Sequence, residues 1–150
     1  MNQVAKVPKL NETQLMVAEL AALVSQGEPM DYLHWNSKKA TFLQKYLGKG
    51  SRQQQMSTWF KYCTELLASG NSEGCITEVS NFLTLDKNTL KQRLTKKNTL
   101  IFELLAIAYL RLGEQTNCQT NHTPSSCIIP LKEPGYHMAT FGSTKAIEIF

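Results

Sequence analysis

The 150-residue chain is 42% hydrophobic and 19% charged, enough apolar material for one folded domain and too much for wholesale disorder. Against 12 Asp+Glu stand 16 Lys+Arg, a net charge of +4 that permits an acidic partner without demanding nucleic acid. With 8 Gly and 5 Pro, collagen-like and low-complexity classes are excluded, and no apolar run reaches the roughly 18 residues of a membrane span.

Residues 1–9 read as a flexible arm. They carry Lys6 and Lys9 with no apolar stretch behind them, so no secretory leader is expected. Asn11 then stands as an N-cap with Gln14 three residues on, the spacing of a capping box. Leu15, Ala18 and Ala22, flanked by Val17, Leu20, Ala21 and Val24, give the first helix, closed by Gly27 and Pro29. A second apolar set comprises Leu33, Trp35, Phe42, Leu43, Tyr46 and Leu47. Ser37 is its cap, and Gly48 and Gly50 end it. The third helix has the clearest pattern. Ser51 caps it with Gln54 in the box position, and Met56, Trp59, Phe60, Cys63, Leu66 and Leu67 follow at steps of three and four as far as Gly70. Trp59, Phe60 and Cys63 on that stripe read as core.

A fourth helix is predicted over Glu73 to Leu83, burying Ile76, Val79, Phe82 and Leu83. Thr84 and Leu85 form a turn, and Asp86 caps a fifth helix to about Lys97. The last helix, about Thr99 to Leu112, is apolar nearly all round, so it is either central to the core or buried in a partner, and Gly113 stops it. Glu114 to Ser126 is rich in Asn, Gln, Thr and Ser and reads as a polar linker. Short strand-like pieces follow at Cys127 to Pro130, Tyr136 to Phe141 and Ala146 to Phe150, an irregular or hairpin tail. The expected fold is mainly α: a small helical bundle over residues 10–113 containing a helix-turn-helix at about 73–97, with residues 114–150 as linker and tail.

Positive charge is unevenly spread. From Tyr32 to Thr64 there are Lys38, Lys39, Lys45, Lys49, Arg52 and Lys61 and no acid; from Lys87 to Lys97 there are Lys87, Lys91, Arg93, Lys96 and Lys97, again with no acid. The second block falls where a helix-turn-helix needs its outward face. Leu85 is the apolar residue tucked into the turn, and Leu90 and Leu94 lie five and nine residues beyond it, buried against the first helix. The remaining face presents Lys87, Asn88, Lys91, Gln92 and Thr95 to base edges. Arg93, Lys96 and Lys97, with Lys38, Lys39, Lys49 and Arg52, serve backbone phosphates. Phe102, Leu105, Tyr109 and Leu110 would pair two copies, because one recognition helix reads only a few base pairs.

The stretch from Leu85 through Asp86, Lys87, Asn88, Thr89, Leu90, Lys91, Gln92, Arg93, Leu94 and Thr95 to Lys96 and Lys97 resembles the turn and recognition helix of Fis-type bacterial helix-turn-helix regulators. The resemblance covers about residues 76–98. It departs at Thr84, where such motifs prefer Gly, and in the strongly apolar helix that follows. It implies a homodimeric regulator bound to double-stranded DNA. The competing expectation is a helical protein-interaction module (an adaptor, inhibitor or accessory subunit) docking through the apolar last helix or the tail.

No enzymatic constellation accompanies these patterns. Gly48-Lys49-Gly50-Ser51 lacks the order of a phosphate-binding loop and follows a helix, and neither HExxH nor GxSxG occurs. Cys118, His122, Cys127 and His137 are zinc-ligand types without the tight Cys-x2–4-Cys pair of a finger, so neither metal nor cofactor is expected. With no leader, the four cysteines read as reduced thiols in a cytoplasmic setting.

Overall fold

The computed structural model describes residues 11–85, 98–120, 123–127 and 132–149, with Leu85 and Cys127 through their backbone only. Among these the architecture is all-α, as expected, and no strand occurs. Two compact units divide between Trp35 and Asn36.

The first unit holds α1 (Glu12–Gln26) and a single 3-10 turn, Pro29–Asp31. The Asn11–Gln14 capping box forms as the sequence requires: Gln14 N donates to Asn11 Oδ1 at 2.8 Å and Asn11 N donates to Gln14 Oε1 at 2.9 Å. Tyr32 folds back under the helix end, its hydroxyl donating to the Leu23 carbonyl at 3.2 Å and its ring stacked on Trp35 at 4.1 Å. α1 buries none of its side chains.

The second unit is built from α2 (Asn36–Gln44), α3 (Arg52–Ala68), α4 (Ser72–Leu85), α5 (Thr99–Thr120) and α6 (Phe141–Ile149), with one more 3-10 turn at Pro124–Cys127. Packing is sequential: α2 on α3, α3 on α4, α4 on α5, α5 on α6. Ser51 caps α3, and its box partner Gln54 returns to the Ser51 N–H at 2.8 Å. At the other end Gly70, at φ +85°, lets the chain reverse while Asn71 N–H donates to the Leu66 carbonyl at 2.9 Å. The core joins Ala40 and Leu43 of α2, Tyr62, Cys63 and Leu66 of α3, Cys75, Val79 and Leu83 of α4, and Ile101, Leu104, Leu105 and Ala108 of α5. Burying a Leu, Ile or Val completely is worth about 1.5–3 kcal/mol, so this cluster is what holds the four helices together. Trp59 and Phe60 pack against it, as their place on the α3 stripe requires.

Three features of the sequence reading are corrected. α4 continues through Thr84 and Leu85, with Thr84 Oγ1 donating to the Ser80 carbonyl four residues back, so those two residues are helix and not turn. Gly113 does not stop the last helix: α5 runs seven residues further, through the stretch read as linker. The last strand-like pieces also give way, since Phe141–Ile149 is α6, lying on α5. The reason is tertiary. Gly113 is buried at the α5–α6 crossing, where its missing side chain admits Gly142 of α6. The predicted fifth helix, with Leu90 and Leu94, lies outside the described residues.

Candidate functional site

α3 positions the most distinctive surface of the second unit. Arg52 and Met56 stand one helical turn apart on the same side, and the next turn offers Trp59 to one flank and Phe60 to the other. Two open cavities follow from that geometry. On the α4 flank, a cavity of about 510 Å³ is lined by Leu47, Gly48, Arg52, Gln55, Met56, Trp59 and Phe82. Its floor is the Trp59–Phe82 stack, with ring centroids 4.3 Å apart and planes 27° from parallel. On the other flank, a cavity of about 760 Å³ is lined by Arg52, Gln53, Met56, Ser57, Phe60, Lys61, Leu100 and Ile101. Arg52 and Met56 border both, so the pair forms a ridge between two apolar depressions. Met56 is 41% exposed and Leu100 64% exposed, large apolar side chains left facing solvent.

The electrostatics of this surface are one-sided. Arg52 and Lys61 are exposed among the lining residues, and none of the described lining residues is acidic. The first turn of α3 carries no acidic side chain, so none there offsets the positive end of its dipole. Lys49, just before the helix, lies over the Tyr46 ring at 5.4 Å.

The residues singled out in the sequence are distributed unequally. Lys38, Lys49 and Arg52 are exposed on α2, the α2–α3 turn and α3. Lys39 is corrected: it is 9% exposed and its ammonium lies 3.9 Å from Glu65, turned into the bundle and away from any phosphate. Leu105 is corrected also, being 7% exposed within the core. Phe102 and Tyr109 pack against that core, Tyr109 meeting Phe141 of α6 edge-on at 5.9 Å, while Leu110 is 43% exposed. Lys87, Asn88, Lys91, Gln92, Arg93, Thr95, Lys96 and Lys97 lie outside the described residues. So does His122, the side chain of Cys127 likewise, and among the described residues no cluster could hold a metal ion.

What the sequence reading missed is the groove. Phe82, expected to be buried in the fourth helix, and Leu100, on the last helix expected to be core or partner-facing, flank the α3 ridge on opposite sides. The available signal was Met56: a large apolar residue one turn above Arg52, in the acid-free stretch. The buried thiols carry a different signature. Burial, then Cys75 and Glu78, push Cys63 well above the usual thiol range, and burial with Glu78 pushes Cys75 up to about 11. Thiols so far from ionising are core packing, not nucleophiles.

No family model, curated protein or solved structure matches the chain. No helix among the described residues is long and apolar enough to cross a membrane.

Proposed function

We propose that the chain is a helical protein-interaction module that docks a partner along the Arg52–Met56 ridge of α3. The observation that carries this reading is the pair of apolar cavities flanking one ridge, floored by aromatic rings and edged by cations. Grooves of this kind accept helical segments through apolar anchors spaced three or four residues apart. Reduced, buried Cys63 and Cys75 fit a cytoplasmic setting for the module.

A second reading has its own support in the two acid-free segments: a homodimeric regulator binding duplex DNA through residues 73–97. Of its expected backbone contacts in the first segment, Lys38, Lys49 and Arg52 are exposed and would position the duplex. Because α4 extends through Leu85, Thr84 and Leu85 do not supply the turn that this reading expected there.

One titration separates the two. Fluorescence polarisation of the full chain against pooled duplexes at two salt concentrations is expected to show no specific retention. Duplex binding that falls steeply with salt, and is lost in Lys91→Ala/Arg93→Ala without unfolding, overturns the interaction reading in favour of DNA.

A further inference from the structure

We infer that the α3 groove takes an acidic amphipathic helix of another protein, with apolar anchors in the two cavities and carboxylates on Arg52 and Lys61. The inference rests on the interaction reading above and names the occupant's chemistry. Its geometry comes from the ridge. An incoming helix lying across Arg52 and Met56 meets one cavity on each side of the pair, so its apolar face can place an anchor in each. Leu47, Trp59 and Phe82 receive one anchor, and Phe60 and Leu100 the other. Met56 lies beneath the segment and is covered by it.

Charge decides which amphipathic helix fits. Arg52 is shared by both cavities, Lys61 borders the larger one, and Lys49 stands just outside the smaller. No acidic residue occurs in the sequence from Tyr32 to Thr64, so nothing on α2 or the first three turns of α3 offsets these cations. The nearest acid along α3, Glu65, is turned toward Lys39 at 3.9 Å. The amino end of α3 adds its dipole, with no acidic side chain in its own first turn. A basic or neutral amphipathic helix would place cations or nothing against this rim. An acidic one gains charge pairs with Arg52 and Lys61.

The test uses the full chain and a fluorescein-labelled helical peptide of about four turns, with leucines at steps of three and four flanked by glutamates. Three comparators are the same peptide with every Glu changed to Lys, the same peptide with every Leu changed to Ser, and a DNA duplex. Binding of the glutamate peptide is expected, with both altered peptides weaker by about tenfold or more. Met56→Glu should weaken the glutamate peptide by a similar factor with circular dichroism unchanged. Arg52→Glu/Lys61→Glu should reverse the preference, binding the lysine peptide more tightly than the glutamate one. Amide-exchange protection on binding should fall in the first half of α3 and at the start of α5.

Equal affinity for the glutamate and lysine peptides, with both Met56-dependent, would sink the acidic occupant while leaving the interaction reading standing. Displacement of the peptide by duplex, with no loss on Leu-to-Ser exchange, would overturn both. Self-association abolished by Met56→Glu would make a second copy the occupant and overturn the inference.

Discussion

Asn117 joins two segments with one amide. Its Nδ2 donates to the Ala139 carbonyl at 2.8 Å, and its Oδ1 accepts from the Ala139 N–H at 2.8 Å. The same Nδ2 donates to the Gly113 carbonyl at 2.8 Å, within α5. The Asn117 side chain is 4% exposed and Ala139 is half-buried, so these bonds are largely shielded from water. Asn117→Ala would leave the N–H and C=O of Ala139 without this partner and is expected to cost about 2–4 kcal/mol. Asn117→Asp should not rescue it, because a carboxylate keeps the acceptor but faces two carbonyls where the amide donated. Urea unfolding of the three proteins measures the loss, and amide exchange should show it concentrated at residues 139–149. In sequence this residue is one Asn in a polar stretch. Nothing in its neighbours indicates that its partner lies 22 positions onward.

Among the elements, α5 and α6 approach most closely where Gly113 faces Gly142. A Cβ on Gly142 would stand 2.4 Å from the Tyr109 carbonyl oxygen and 2.7 Å from the Gly113 Cα, both backbone atoms that cannot swing aside. A Cβ on Gly113 would stand 3.1 Å from the Gly142 Cα, a tighter than ordinary contact that a small shift relieves. Gly142→Ala is therefore expected to destabilise by about 1–3 kcal/mol even after the helix-propensity gain of about 1 kcal/mol. Gly113→Ala should cost less than Gly142→Ala or be neutral. Thermal melts with both variants decide the ranking, and equal effects would contradict the geometry. These two glycines also explain what was legible. α1 and α3 could be read because a capping box fixes each start within four residues of sequence. The α3 core stripe was equally local. The carboxyl-terminal third was misread because a glycine that ends a solitary helix is the same glycine that lets two helices touch. Likewise Thr144, Ile147 and Ile149 favour strand locally, and only packing on α5 makes them helical. The groove was half legible: the charge asymmetry stood in the sequence, while the apposition of Met56 with Phe82 and Leu100 depends on how three helices meet.

For the molecule as a whole, the buried acids of the core set a limit on the alkaline side. Cys63 and Cys75 are fully buried, and Tyr62 is 6% exposed beside them. Burial raises all three, with Glu78 adding to each, and Cys75 reaches about 11. An unfolded chain releases its thiol protons near pH 8.5, whereas the folded chain keeps them. Between those values the native state binds more protons than the unfolded state, so stability falls as pH rises. The contribution is complete below about pH 8.5 and is lost progressively toward the folded value of about 11 for Cys75. Melting temperature is therefore expected to hold steady from neutral pH up to that point and then decline. Cys63→Ala/Cys75→Ala should start lower, because it leaves cavities in the core, yet decline less steeply. A thiol reagent at neutral pH supplies an independent check on the same core. Cys118 is exposed and should react in the native protein, while Cys63 and Cys75 should react only as fast as the bundle opens. If the two core thiols matched Cys118 in rate, or if the double variant kept the full alkaline slope, the four-helix core would not be the cooperative unit its packing describes.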